Sequence, residues 1–229
     1  MWITVDYEPV AAFGLRPSNT TSSGGKSLLA PTPYAIKMGL LDRMIRLGGL
    51  GYGVERFPLV RDLTIWLRVP LAVCVNRTFQ KILRPQTGSA VWNSTIAQRE
   101  YVFHAGTLSL AFRLSEAAFA DDLAFFLPAI NYFGRKGGFI QYIGHQLHPD
   151  ELPAPSQGEY VDLCHATETI GFGFLQRMDD MRPDATFDDV SVYDSPRSDG
   201  GRVSYNVIFP YRLAHHGFNH TVYEAEWLA

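Results

Sequence analysis

Apolar Ile3, Val5 and Tyr7 alternate with polar Thr4, Asp6 and Glu8, the period-two pattern of a half-buried strand. Residues 63–69 (LTIWLRV) repeat that alternation, residues 107–114 (TLSLAFRL) predict a third strand and residues 137–144 (GGFIQYIG) a fourth. Between the first two strands, Tyr34, Met38, Leu41 and Ile45 recur at helical spacing behind Pro33, with Gly48-Gly49 as the stop. Residues 115–127 (SEAAFADDLAFFL) predict a second helix, N-capped by Ser115 and ended by Pro128. The order strand–helix–strand–strand–helix–strand belongs to the α+β class and matches the ferredoxin-like, RRM-like βαββαβ arrangement. Both helices are expected on one face of a four-stranded sheet, leaving the other face free.

Two departures from a minimal domain stand out. A hairpin needs about 2–5 connecting residues, yet the middle strands are separated by residues 70–106. That insertion carries Arg77, Lys81, Arg84, Trp92, Arg99, Tyr101 and His104, so it is basic with aromatic residues interleaved. After the fourth strand comes a proline-punctuated loop (HPDELPAPSQGE), then five strand-like segments: YVDLCHA, TIGFGFLQ, DVSVYDS, RVSYNVIFPY and HTVYEAEW. The expected organisation is a first domain over residues 1–145 and a β-rich section over residues 146–229 packed on it.

Composition excludes whole classes. The 229 residues are 46% hydrophobic and include 15 Phe and 11 Tyr, ample for a packed core, which excludes a disordered or fibrous chain. The longest apolar runs, such as residues 70–75, fall far short of the ~18–20 residues of a membrane helix. No export signal is evident, and Cys74 and Cys164 stand isolated in apolar contexts, so a reduced, cytoplasmic protein with free thiols is expected. The formal charge of −3 hides an asymmetry: residues 1–143 hold 15 Lys and Arg against 9 Asp and Glu, whereas residues 144–229 hold 5 against 14. A first part that meets a polyanion explains this, and so does an acidic surface that keeps the protein soluble.

Several motifs carry little. GGKS (residues 24–27) mimics the end of a phosphate-binding loop, but Thr20 stands where that pattern needs glycine and the helix starts at Pro33. GGLGYG (residues 48–53) follows a helix instead of opening one and reads as a flexible loop. His165, Glu168, His215, His216 and His220 invite a metal reading, yet His216 and His220 would share a face only on a helix, and the segment reads as turn and strand. Neither a metal nor a cofactor is expected. More informative is NYFGRKGGFIQ (residues 131–141), where Gly137 and Gly138 flank Arg135 and Lys136. Such a turn lets an anionic backbone approach closely, although a plain solvated turn has the same composition. Lys37, on the first helix beneath the polar Gly-rich and Ser-rich loop holding Lys26, either joins that site or faces solvent.

Three segments taken together resemble a known family. TPYAIKMGLL (residues 32–41), STIAQREYVFHAGTLSLAF (residues 94–112) and INYFGRKGGFIQ (residues 130–141) look like the Cas-five family of CRISPR-associated RAMP proteins. The resemblance covers about residues 1–145. It implies a RAMP domain of ferredoxin-like fold with a long thumb at about residues 70–106. It also implies a non-catalytic RNA-binding subunit of a type I Cascade complex that grips the 5′ handle of the CRISPR RNA. Expected partners are the backbone RAMP subunits, the large subunit and target DNA near the protospacer-adjacent motif. The handle would run near Lys26, Lys37, Arg99, Tyr101, Arg135, Lys136, Gly137 and Gly138, with Arg77, Lys81, Arg84, Trp92 and His104 on the thumb.

Two other functions fit the same residues. Relatives in one subtype cut precursor RNA without metal, which would assign acid–base roles to Tyr101, His104 and Lys37. A generic single-stranded RNA-binding scaffold would use the same basic, aromatic insertion.

Overall fold

A computed structural model describes residues 1–20, 25–88, 90–149, 152, 160–167, 172–191 and 200–226. In chain order the elements are β1 (Trp2–Pro9), α1 (Pro33–Gly48), α2 (Leu50–Arg61), β2 (Thr64–Arg68), β3 (Ala72–Pro85), β4 (Trp92–Ala105), β5 (Leu108–Arg113), α3 (Phe119–Phe126), and a single 3-10 turn over Leu127–Ala129. They continue with β6 (Ile140–His148), β7 (Val161–Asp162), β8 (Phe174–Met181), α4 (Phe187–Val190), β9 (Arg202–Phe209), β10 (Tyr211–His216) and β11 (His220–Ala225).

The strands form a mixed α/β architecture of antiparallel sheets. One five-stranded sheet runs β6-β1-β5-β2-β7, a four-stranded sheet runs β10-β11-β3-β4, and β8 pairs with β9. The four strands expected from the alternating pattern are β1, β2, β5 and β6, neighbours in the first sheet. Strands from beyond residue 145 extend both larger sheets: β7 pairs with β2, and β11 pairs with β3 through Ala72–Asn76. One core cluster joins these layers, with Ile3, Val5, Tyr7 and Phe112 of the first sheet against Ile36, Leu40, Met44 and Leu123 of the helices. Each such aliphatic side chain contributes about 1.5–3 kcal/mol on burial. Val73, Val75 and Val102 of the second sheet, and Met178, Val207 and Phe209 further on, belong to the same cluster.

α1 begins where expected, because Thr32 Oγ1 accepts a hydrogen bond from Ala35 N (3.1 Å) and Pro33 supplies a pre-set first turn. GGLGYG is not a loop. Gly49, at φ +90°, ends α1, and α2 starts at the next residue. A Cβ on Gly53 would lie 2.4 Å from Ile45 Cγ1, so glycine there lets α2 lie close against α1. The second expected helix is shorter than its sequence pattern. α3 begins at Phe119 and Ser115 does not cap it, because Phe119 N and Ala120 N donate to Glu116 O and Ala117 O in tight preceding turns. Of DVSVYDS, Asp189 and Val190 lie in α4, Ser191 follows it, and residues 192–195 fall outside the described residues.

The outer face of the first sheet is not free as expected. Trp2, Ser109 and Ala111 are buried there, and Trp2 packs against Trp66 in a tilted arrangement with ring centroids 4.1 Å apart.

Candidate nucleic-acid interface

β3 and β4 pair through their whole length, from Ala72↔Ala105 to Pro85↔Trp92. β11 pairs with Ala72–Asn76 and Asn219 O accepts from Arg77 N, so from Thr78 outward the hairpin projects as a ribbon about 25 Å long. Directly opposed residues share a face. The stripe that is buried at the base, Val73 and Val75 with Val102 and His104, therefore runs on outside the core as Arg77, Phe79, Lys81 and Leu83 with Glu100, Ile96 and Trp92. Phe79, Leu83, Trp92 and Ile96 are 73%, 64%, 61% and 71% exposed, so an apolar row lies in solvent between cations. Arg84 lies exposed on the opposite face.

The chain after β1 folds along the edge of β4. Phe13 and Val102 exchange both backbone hydrogen bonds (2.7 and 2.8 Å), and Glu100 N donates to Gly25 O (2.7 Å). Gly25 sits at φ +47°, where a Cβ would strike Gln98 O at 2.2 Å, so only glycine allows this approach. Leu28 N donates to Leu15 O and Leu15 N to Ser27 Oγ, which closes the polar loop at its base and brings Arg16 beside Lys26. Ser27 is thereby buried, unlike the hydroxyl of a phosphate-binding loop; Gly24 lies outside the described residues.

The basic turn packs onto this same segment. Tyr132 bridges to Phe139, Val10 N donates to Phe139 O (3.0 Å), and a Cβ on Gly138 would lie 3.3 Å from Phe13 Cα. Gly138 is buried, so its missing side chain serves this close packing, where an exposed turn was expected. Gly137, at φ +112°, makes the turn itself, and Arg135 and Lys136 stand exposed on it.

These pieces enclose an open cleft of about 350 Å³ walled by Arg16, Lys26, Arg99 and Arg135, with Glu100 as the one carboxylate. Glu100 is already engaged: its Oε2 accepts from Ser27 N (3.1 Å) and its Oε1 lies 3.5 Å from Arg77. Among the described residues no carboxylate pairs with Arg16, Lys26, Arg99 or Arg135. Four cations facing one compensated acid make a seat for anionic oxygen, and phosphate is the ligand that arginine forks fit. Tyr101 borders the cleft, where a Cβ on Gly14 would meet its ring at 3.6 Å, and its hydroxyl accepts from Gln80 Nε2 (2.7 Å). Lys136 lies on the same turn outside the cleft wall. Arg16 was missed by the sequence reading, although it opens the Gly-rich and Ser-rich loop that held Lys26.

Two expected site residues are elsewhere. Lys37 is 2% exposed; its Nζ lies 2.6 Å from Asp180 Oδ1 of β8 and donates to Arg61 O (2.8 Å) at the end of α2. It ties α1, α2 and β8 together and does not line the cationic cleft. His104 is buried, with Nε2 donating to Leu29 O (2.6 Å), and burial holds its imidazole below the ordinary histidine value against the pull of that carbonyl. Tyr101 and His104 point to opposite faces of β4 and Lys37 lies in the core, so the residues named for acid–base work do not meet. His215 and His220 stack with centroids 5.2 Å apart, and among the described residues no group of three or more His, Cys, Asp and Glu is set to hold a metal. Glu168 lies outside the described residues. Cys164 is buried and Cys74 half-buried, both free.

No protein-family model matches the chain. Over 147 residues it is 28% identical to the CRISPR-associated protein Cas5 of Archaeoglobus fulgidus, which takes in 62% of this chain and 59% of that protein. A crystal structure of a CRISPR protein from the same organism matches with a TM-score of 0.52 and 12% identity, covering 98% of this chain and 92% of the other. The sequence match supports kinship of this chain with Cas5 proteins. The matched stretch spans less than two thirds of the curated Cas5 relative. The likeness to the crystal structure is one of fold, a mixed α/β architecture consistent with the RAMP class. Among the described residues, no helix is long and apolar enough to cross a membrane.

Proposed function

We propose that this chain is a non-catalytic RNA-binding subunit of a type I CRISPR surveillance complex, in which it grips the 5′ handle of the CRISPR RNA. The observation that carries this reading is the convergence of Arg16, Lys26, Arg99 and Arg135 on one cleft at the foot of an exposed ribbon. The cleft is sized for a short piece of single strand, not for the face of a duplex. Cations neutralise its phosphates, while Tyr101 at the border and Trp92 on the ribbon offer rings to unstacked bases. Kinship with Cas5 supports the CRISPR setting.

The strand order β6-β1-β5-β2 supports a ferredoxin-like reading of the first sheet, and the ribbon of β3 and β4 supports its reading as the family's thumb. The ribbon's exposed apolar row fits contact with neighbouring protein subunits, so that the chain caps the backbone filament and meets the large subunit near the protospacer-adjacent duplex. We place the complex in the cytoplasm.

The test is RNA binding by the purified chain, and by the complex formed on co-expression with the backbone subunits, over a series of salt concentrations. Replacing Arg16 and Arg135 by Glu should weaken binding and flatten the log–log salt slope by about 0.7 for each phosphate no longer neutralised. The RNA recovered with the complex should be intact and share a repeat-derived 5′ end. Binding and slope unchanged in the double variant would remove the cleft from the site. A discrete cut in repeat RNA incubated without metal would replace this reading by RNA processing, and a mixture of cellular RNAs would replace it by generic binding.

A further inference from the structure

Val73, Val75, Val102 and His104 turn the second sheet's inner face to the core, so the residues between them on β3 and β4 face the other way. The register sets that outer face in rows. Phe103, Cys74, Val222 and His215 form one row, and Tyr101, Asn76 and His220 the next. The chain after β1 widens both. With Phe13 opposite Val102, Gly14 falls beside Tyr101 and Ala12 beside Phe103. Small neighbours leave the Phe103 ring standing clear: it is 55% exposed, and no other ring packs on it among the described residues. At the far side, the His220 ring lies over Gly217, where a Cβ would meet it at 2.5 Å, and next to the exposed His215. His220 Nδ1 lies 3.2 Å from Asn219 Oδ1, which fixes that ring.

The cationic cleft opens onto this face. Gly14 and Arg99 wall the cleft; Gly14 also adjoins the Tyr101 ring, and Arg99 shares the outer face of β4 with Tyr101 and Phe103. Neither row carries a carboxylate. The first acid on this face, Glu224, stands one row beyond Val222 and pairs with Arg212 (3.3 Å). The cleft has a second exit, past Leu15 and Arg16, and its chemistry differs. It leads to a cavity of about 330 Å³ where Asp42 and Asp179 stand with Arg202. A polyanion leaving the cleft thus meets two acids on one side and, on the other, an acid-free surface with an exposed aromatic ring.

Resting on the RNA-binding reading above, we propose that the single strand held in the cleft leaves it over Gly14 and Arg99 and crosses the outer face of the second sheet. Phe103 takes one unstacked base on its ring. His215 and His220 meet the sugar and phosphate groups that follow, because imidazole nitrogens both donate and accept hydrogen bonds. From Phe103 to His215 is three strand spacings, about 15 Å, so the face holds a few nucleotides of extended strand. The cleft anchors phosphates, and the sheet face sets the direction in which the strand departs.

The probes are oligouridylates of about four and about ten nucleotides, titrated against the full chain. The short strand occupies the cleft alone; the long one reaches the sheet and should bind about tenfold more tightly or better. Phe103→Leu keeps apolar bulk and removes the ring. It should weaken the long strand about tenfold and leave the short one within about twofold, while Phe103→Tyr restores the long strand's affinity. Replacing His215 and His220 together by Ala should likewise weaken the long strand and spare the short one. A 4-thiouridine in the distal half of the long strand should cross-link on irradiation to the peptide holding Phe103 or to that holding His215. A long strand no tighter than the short one, a Phe103→Leu loss that is absent or equal for both strands, or cross-links confined to the ribbon would each overturn the path over the sheet while leaving the cleft in place. RNA affinity retained in Phe103→Leu with assembly onto the backbone subunits lost would give the face to a protein partner and overturn it too. Failure of both strands to bind would overturn the cleft reading, and the path with it.

Discussion

Replacing Lys37 by methionine should cost about 3–5 kcal/mol of stability and leave the RNA affinity of the folded protein as it was. The Lys37 and Asp180 side chains are 2% and 7% exposed with 2.6 Å between Nζ and Oδ1. At an effective dielectric constant near 20, unit charges at that separation attract by about 6 kcal/mol. Withdrawing each ion from water costs several kcal/mol, so the intact pair contributes little net stability. Removing one partner is different: methionine keeps the volume of the stem but strands the Asp180 carboxylate and the Arg61 carbonyl in the core. Burial already holds the Asp180 carboxyl above the usual carboxylate range, with Lys37 opposing, and without Lys37 it rises further. A carboxyl raised in the folded state binds its proton more tightly there than in the unfolded chain. Stability on its account is full at low pH and lost as pH rises from about 4 through the folded-state value. The deficit of the variant should therefore be largest near neutral pH and shrink towards pH ~5. Urea denaturation at both pH values measures it, with RNA titration alongside. Lys37→Met with Asp180→Leu should recover most of the loss. A deficit under about 1 kcal/mol, no dependence on pH, or weakened RNA binding at unchanged stability would refute the argument.

Trp92→Ala should weaken single-stranded RNA binding by about 1–3 kcal/mol, the usual contribution of one stacked base. Because Trp92 is 61% exposed, its melting temperature should hardly move, and an unchanged affinity would take the ring out of the interface. His104 should make the protein acid-sensitive. Its lowered folded-state value means that the unfolded chain takes up the proton first, so stability is full above about pH 6.5 and declines as pH falls below it. Thermal melts across that range should show the decline, and His104→Asn should flatten it.

The strands of the first sheet were legible because each carries its own alternation: Ile3, Val5 and Tyr7 face the helices whatever the rest of the chain does. The ribbon was visible only as an over-long connection, because its fourteen-residue strands β3 and β4 carry polar and apolar residues on both faces. α2 was hidden by its glycines. Gly51 and Gly53 lower helix propensity, yet Gly53 is what lets α2 rest on Ile45, a tertiary reason that no local pattern carries. The covered outer face of the first sheet was hidden for the same kind of reason, since Trp2 and Trp66 meet only across β5.

The site divides along the same line. Lys26 and Lys37 flank one loop and carry the same charge, and composition treats them alike. Their fates differ because of the arc of α1 on which Lys37 stands. The deep face of α1 is Pro33, Ile36, Lys37, Leu40, Leu41 and Met44, whereas Tyr34, Met38 and Ile45, which marked the helical spacing, are only partly buried around a smaller cluster. Reading the period from that set together with Leu41 turned the helix by about a residue and left Lys37 on an exposed face, beside the loop or in solvent. Read from Ile36, Leu40 and Met44, the same period places a lysine inside the core, and a buried lysine needs a buried acid. Asp179 and Asp180, between Met178 and Met181 on β8, were the available pair, and β8's register turns Asp180 inward to Lys37 while Asp179 goes to the cavity beside Arg202. Two adjacent carboxylates thus do separate work, one locking the fold and one lining a cavity. Arg16 and Arg135 meet no carboxylate among the described residues, because Glu100, the one acid of their cleft, is already held by Ser27 N and Arg77.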